Sequence, residues 1–339
     1  MVFIGIDHHK QYSHLTILNE DGSTLKAGRI LNRQEDVVSF LVGFKEGIKA
    51  VLEAGRATYT MVDLLEDLGV EVTIAHPYQV KAIAQAKIKT DKRDSYILAH
   101  LLRTDLIPTV YRRDAGNRAQ QRILRHRMAY VRMQTQIKNR IRSLLAHQCE
   151  EVRELVASQS QLFKSRGVLQ LREIGLPGRD GDMLKSLIQT FDHIQRRIQQ
   201  SNVLVEEIFN RNVDARLIIS IPGFGKFFSV LVATEIANIE RFSSPAKLHS
   251  YAGVIPSTHA SGEKHYHGGL IRQGDKWLRW ALVEAVWPAI KSDFDLKVFY
   301  QRIAKRKGAN SAKVATARRL LTIIFRVLKE KRSYVPYKR

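Results

Sequence analysis

Four acidic residues of this sequence have neighbours that suit catalysis. Asp7 follows the apolar run Phe3-Ile4-Gly5-Ile6, and Glu53 follows Ile48-Lys49-Ala50-Val51-Leu52, so each carboxylate ends a segment that reads as a buried strand. Thr90-Asp91-Lys92-Arg93-Asp94 opens a helical pattern with its carboxylates three residues apart, on one face. In open α/β sheets, ligands bind beyond the C-terminal ends of the strands. Four carboxylates converging there repel one another unless cations neutralise them. Mg²⁺ (or Mn²⁺) fits, because it takes hard oxygen ligands and completes its shell with water and phosphate oxygens. Two such ions about 3.5–4 Å apart would clamp an in-line phosphoryl transfer. The expectation is a metal site of Asp7, Glu53, Asp91 and Asp94 for phosphoryl transfer. The plainer alternatives are a helix cap for Asp91 and a solvated face for Asp94.

The elements that must position these residues follow from the pattern around them. The first run leads into His14-Leu15-Thr16-Ile17-Leu18 and then, past an acidic-glycine turn, into Ser23-Thr24-Leu25, a β-meander. Helical spacing over 34–46, the strand ending at Glu53, an amphipathic 58–68, a strand over 70–75 and helices over 77–86 and 91–104 complete an α/β domain over 1–110. From Asp114 to about Gln148 there is no proline, and apolar residues recur at helical steps from Leu124 to Leu144. A second long helical stretch over 180–212 suits an antiparallel return, and the glycine- and proline-bearing segment between reads as the turn region. These form a coiled-coil middle, 111–212. Over 213–339 the sequence predicts an α-rich domain: helices over 226–239, 243–251, 274–291 and 311–331, with strand-like alternation over 253–270.

Charge narrows the partners. Residues 1–110 hold 13 Lys+Arg against 14 Asp+Glu, while 111–339 hold 42 against 19. An excess this one-sided favours a polyanion, and nucleic acid above all. Between Arg112 and Arg142 Asp114 is the single acid, so Arg118, Arg122, Arg125 and Arg132 are candidate phosphate contacts on the long helix. Ile221-Pro222-Gly223-Phe224-Gly225-Lys226 resembles a helix-hairpin-helix turn, in which Gly223 and Gly225 allow the turn and amides at the next helix start, with Lys226, can hold a phosphate; a plain helix-turn-helix packing element is the alternative. Hydrophobic content of 44% with no apolar run of membrane length describes a globular chain, and Cys149, the sole cysteine, excludes an intrachain disulfide or a cysteine zinc site. A reducing cytoplasm, beside the nucleoid, is the expected home.

Two family resemblances build on these residues. The order Asp…Glu…Asp-x-x-Asp on a meander-led sheet resembles the RuvC-like branch of the ribonuclease-H-like nucleases. Gly5-Ile6-Asp7 before a hairpin also opens actin-like sugar kinases, but their second Asp-Gly phosphate motif and glycine-rich adenosine loop are not found here. Further along stand Phe242-Ser243-Ser244-Pro245-Ala246-Lys247-Leu248-His249-Ser250-Tyr251-Ala252-Gly253-Val254-Ile255-Pro256, then Ala260-Ser261-Gly262-Glu263-Lys264, then Gly274-Asp275-Lys276-Trp277-Leu278-Arg279. With these the chain resembles, over nearly its whole length, the transposases of the insertion-sequence family numbered one hundred and ten, which includes the Piv pilin-gene invertase.

That resemblance implies that Asp7, Glu53, Asp91 and Asp94 are the four acidic positions and Ser261 the serine nucleophile. It implies exchange of donor and target DNA through a phosphoserine intermediate, guided by a bridge RNA encoded beside the gene. It also implies a homo-oligomer, a dimer of dimers, in which one protomer's carboxylates meet another's serine. The family follows its Ser-Gly with a basic run, whereas here comes Glu263-Lys264-His265-Tyr266-His267, so Lys264 is the remaining candidate backbone contact in that loop. Ser257 competes with Ser261, His259 and Glu263 are the nearby candidate bases, and His265 with His267 could form a metal pair. Two other readings stay open: a metal-dependent nuclease or resolvase that uses water, needing no Ser261, and a noncatalytic nucleic-acid-binding protein, needing no carboxylates.

Overall fold

A computed structural model of the chain describes residues 1–44, 47–55, 57–84, 90–157, 162–261, 264–270 and 273–336, with backbone alone at 151, 155–157, 257–261, 264–268 and 270. The chain divides into two compact units, Met1–Arg112 and Arg113–Arg339.

In the first unit, strands β1 (Val2–His8), β2 (Tyr12–Leu18) and β3 (Thr24–Leu31) form the expected meander. Helix α1 (Gln34–Leu41), strand β4 (Ile48–Glu53), helix α2 (Thr58–Asp67), strand β5 (Glu71–Ala75) and helices α3 (Pro77–Ile83) and α4 (Asp91–Arg103) follow. The sheet order is β3-β2-β1-β4-β5; β1 runs antiparallel to β2 and parallel to β4.

Strand alternation sorts side chains to two faces. Ile4, Ile6, Leu15, Ile17, Ala50 and Leu52 pack with Val37 and Phe40 of α1 and Met61, Val62 and Leu65 of α2. On the other face Val51 packs with Val80 of α3 and with Leu98 and Leu101 of α4. Gly5 belongs to that second face, directly beneath α4: a Cβ there would lie 1.9 Å from the Ser95 carbonyl oxygen. Glycine is what lets α4 lie against β1.

In the second unit, α5 (Ala115–Ala146) pairs with α8 (Gly178–Arg211). The contacts Arg127–Asn202, Gln134–Gln195 and Gln148–Asp180 run in opposite directions along the two chains, so the pair is antiparallel. The segment read as a plain turn instead carries two short helices, α6 (Glu150–Ala157) and α7 (Ser165–Glu173). Leu171 of α7 and Leu162 close an apolar cap with Ile141, Leu145, Leu184 and Ile188, so burial at the arm's tip gives this segment its order.

Helices α9 (Val213–Ile218), α10 (Lys226–Ile236) and α11 (Pro245–Ala252), strands β6 (Pro256–Ser261) and β7 (Lys264–Leu270), and helices α12 (Lys276–Ser292) and α13 (Phe294–Glu330) complete the chain. Sequence reading placed the last helix at 311–331 and missed both α9 and the first half of α13. Helix α13 extends back to Phe294 and is interrupted at Gly308, whose φ of 80° and ψ of 165° are non-helical. A large core joins α9–α13 and takes in Leu124 of α5 and Val205 and Phe209 of α8, so the base of the arm and the C-terminal helices share one interior.

Candidate active site

The acidic edge is built by the first unit alone. Asp7 is one residue beyond Ile6, and Glu53 one beyond Leu52; Ile6 and Leu52 are register partners on parallel neighbouring strands. Alternation puts Asp7 on the face of Gly5 and Glu53 on the face of Val51, the face that α4 covers. Helix α4 begins at this edge. Its N-cap is Thr90, whose hydroxyl accepts the Arg93 amide, so Asp91 is not the cap and its carboxylate is left for other work. Ser95, one turn on, ties α4 to β2 through His14 Nδ1 (2.9 Å) and Thr16 Oγ1 (2.8 Å).

The group that converges is Asp7, His9 and Asp91, whose ligand atoms lie within 4.8 Å of one another. His9 Nε2 is 3.3 Å from Asp7 Oδ2 and 3.4 Å from Asp91 Oδ2. That nitrogen is shielded from solvent and faces both carboxylates. Tyr12 donates its hydroxyl to Asp91 Oδ2 at 3.2 Å. Burial pushes the Asp7 carboxyl up from its usual range, His9 opposes the shift, and the nearby carboxylates of Asp91 and Asp94 add to it. Two crowded carboxylates and a shielded imidazole nitrogen, with ligand atoms this close, form a donor set that fits a divalent metal. Asp94, one turn after Asp91, bears electrostatically on Asp7, but it and Glu53 fall outside the group of three. The sequence pattern alone gives His9 no part.

Ser261 lies in the second unit, at the end of β6. It is paired with Lys264 across the tip of the β6–β7 hairpin. The side chains of Ser257, His259, Ser261, Lys264, His265 and His267 lie outside the described residues, as does Glu263 altogether. The hairpin's neck is well defined. The Asp275 amide donates to the Tyr251 carbonyl at 2.8 Å, and a Cβ on Gly274 would lie 2.3 Å from the Gly253 backbone. The chain therefore leaves and re-enters the helical core through one narrow opening.

A buried polar network braces this neck. Arg113 donates to Glu235 Oε2 (3.1 Å), to the Thr234 carbonyl (2.6 Å) and to the Tyr251 hydroxyl (2.8 Å). Gln121 donates to Glu235 Oε2 at 2.6 Å and Arg125 to Oε1 at 3.2 Å. Asp275 caps α12 by accepting the Trp277 and Leu278 amides, with Oδ2 3.4 Å from the Tyr251 hydroxyl. Complete burial, with Asp275 close by, outweighs the three donors and pushes the Glu235 carboxyl up to about 7. Sequence reading passed over Glu235.

Comparison with known proteins bears on both halves. The DEDD transposase model of the IS110 group matches residues 4–150, and the model described as Transposase IS116/IS110/IS902 family matches 215–301. Together they span well over half of the chain. It belongs to this transposase family. The transposase for insertion sequence element IS1111A of Coxiella burnetii is 24% identical over 98% of this chain and 90% of its own length. The transposase for element IS1328 of Yersinia enterocolitica is 22% identical over 91% of this chain and 86% of its own. The pilin gene-inverting protein of Moraxella bovis is 25% identical over 78% and 74%.

In this family member the candidate basic residues are not equivalent. Arg122 is exposed on α5. Arg118 donates to the Arg113 carbonyl, Arg125 is bound to Glu235, and the Arg132 guanidinium lies 5.3 Å from the centre of the Trp277 ring. Lys226 pairs with Glu206 at 2.5 Å. Gly223 holds a φ of 96°, and a Cβ there would lie 2.4 Å from the Ala285 carbonyl oxygen, so this glycine serves packing against α12. Gly225 is the N-cap position of α10. Among the described residues no helix is long and apolar enough to cross a membrane.

Proposed function

We propose that the chain is an RNA-guided DNA transposase or recombinase that joins strands through a covalent Ser261–DNA intermediate, with Mg²⁺ or Mn²⁺ held at the acidic edge. The observation that carries the reading is the convergence of Asp7, His9 and Asp91 at the sheet edge of a family member. Asp7 and Asp91 would be the primary ligands, with Glu53 and Asp94 completing the set as phosphate enters. Bound there, a divalent cation would offset the charge of the phosphate and of the pentavalent transition state. By holding that cation the carboxylates, carried on β1 and α4, would set where the scissile phosphate sits.

In the proposed step the Ser261 hydroxyl oxygen attacks phosphorus and loses its proton to a base. The P–O3′ bond breaks, and the departing 3′ oxygen is protonated to a hydroxyl. One phosphoester replaces another, so the exchange is reversible onto a second strand without ATP. A guide RNA and a homo-oligomer that supplies serine and carboxylates from different protomers complete the proposal; the basic 111–339 segment and the family membership support it.

The test is a denaturing gel of the full chain with labelled donor DNA and its flanking RNA. A protein–DNA adduct that resists denaturant and yields to protease is expected, and Ser261→Ala loses both adduct and recombinants while still binding nucleic acid. Recombination by Ser261→Ala would replace this reading with hydrolytic cleavage. Equal recombination by RNase-treated protein would remove the guide.

A further inference from the structure

Two grooves of the second unit differ in how their cations are balanced. The larger, about 1130 Å³, is lined by Arg318, Arg319, Arg326 and Arg332, but also by Asp293, Asp295 and Glu330. Its charges are mixed: three carboxylates stand among four guanidinium groups, and Arg332 pairs with Glu330. The other groove, about 930 Å³, is lined by Arg302, Arg306, Lys307 and Arg318 with Asn310 and Ser311, and among the described residues no carboxylate lines it. Pro256 and Gly269, near the feet of β6 and β7, complete its wall, while Ile303, Val314 and Ala315 line its apolar part. Arg302, Arg306 and Lys307 are exposed and make no ion pair with any described carboxylate.

The backbone gathers these cations on purpose-built geometry. On an uninterrupted α-helix, at about 100° per residue, Arg302 and Arg318 would face roughly 160° apart. The break at Gly308, with a φ of 80° that glycine tolerates and other residues resist, turns both halves of α13 toward one groove. Arg318 fixes the groove to the hairpin, because its Nε and Nη2 both donate to the Val254 carbonyl, at 3.0 and 2.8 Å. Arg302, Arg306 and Lys307 thereby share a groove with a residue that is bonded to the root of the Ser261 hairpin.

We infer that this groove is a seat for the phosphodiester backbone of the DNA strand that the hairpin engages. Uncompensated guanidinium and ammonium groups beside Asn310 and Ser311 suit a run of phosphates, whereas the mixed charges of the larger groove do not. The choice of DNA over RNA rests on the reading of Ser261 as the DNA-attacking residue; binding of DNA to the groove does not need the serine to react.

The experiment measures binding of labelled donor duplex, and separately of the flanking RNA, to the full chain as salt is varied. It is done in the Ser261→Ala background, so that a wrong nucleophile shows only in the adduct assay on the parent protein. Arg302→Glu/Arg306→Glu/Lys307→Glu is compared with Lys185→Glu/Arg196→Glu/Arg197→Glu, which makes the same charge change on exposed positions of α8. Thermal melting establishes that both triples fold. The groove triple is expected to weaken DNA binding at least tenfold near 0.1 M salt and to reduce the log–log salt slope by about 2–3, at roughly 0.9 per lost phosphate contact. The α8 triple should change both far less. Equal losses in the two triples would reduce the effect to bulk charge, and loss of RNA binding with DNA binding intact would reassign the groove; either result overturns the proposal.

Discussion

The acidic edge and the serine hairpin solve the placement of a reactive group in opposite ways. Asp7 and Asp91 are carried by a central strand and by the first turn of the helix that crosses it, so every neighbour that fixes them is part of the sheet's own packing. Ser261 is carried at the far end of a two-stranded sheet whose feet join the core at the Gly253–Gly274 neck, and the bracing is done below it by Arg113, Glu235, Tyr251 and Asp275. The first arrangement ties the site to the fold: it cannot loosen without the sheet loosening. The second separates them, so that the core can be strong whatever the hairpin above the neck does.

The comparison predicts different failures when each region is damaged. The largest effect is chemical. Asp7→Ala and Asp91→Ala should each abolish strand exchange, as chelator should in the parent, while the melting temperature stays within a few degrees, because a ligand is removed and not a core contact. Strand exchange at the parent rate in chelator, checked on the same gels, would break the metal half of the comparison.

Next in size is the brace. Glu235→Ala takes from Arg113 its nearer carboxylate and leaves Gln121 without its acceptor, and about 3 kcal/mol should be lost in denaturant unfolding of the second unit. The carboxyl is raised from 4.5 to about 7 in the folded chain, so it holds a proton there that the unfolded chain releases. Its contribution is complete below about pH 4.5 and is lost as pH rises toward 7. Glu235→Gln should flatten that part of the stability–pH profile, and a slope unchanged in Glu235→Gln would assign it to another group.

Smaller still, Gly5→Ala forces α4 away from β1 and should cost about 1–3 kcal/mol, with activity falling alongside stability because Asp91 moves with α4. Full strand exchange by a destabilised Gly5→Ala protein would show that the acidic edge tolerates more play than its packing suggests.

Much of this was legible in residue order, for a physical reason. Alternation in Ile4-Gly5-Ile6-Asp7 and in Val51-Leu52-Glu53 places both carboxylates on the face opposite the isoleucines and Leu52, and the three-residue spacing of Asp91 and Asp94 needs only helical periodicity. What was missed depends on distant partners. His9 lies just past the end of β1, where no period assigns it a direction, and only Asp91 makes it part of a group. Glu235 reads as an ordinary helix residue, yet it is sealed in by α5 groups more than 100 positions earlier in the chain. The first half of α13 carries Lys297, Arg302, Lys305, Arg306 and Lys307, which thin out its apolar stripe and hide it from a periodicity argument.

The neck between Gly253 and Gly274 has one more consequence. A segment that enters and leaves through the same doorway transmits no change of length to the rest of the chain. Each pair of residues added in register to β6 and β7 would carry the tip about 7 Å further out, with the helical core untouched. The hairpin is thus an adjustable boom on a fixed mast, and its span can be retuned by paired insertions without redesigning anything beneath it.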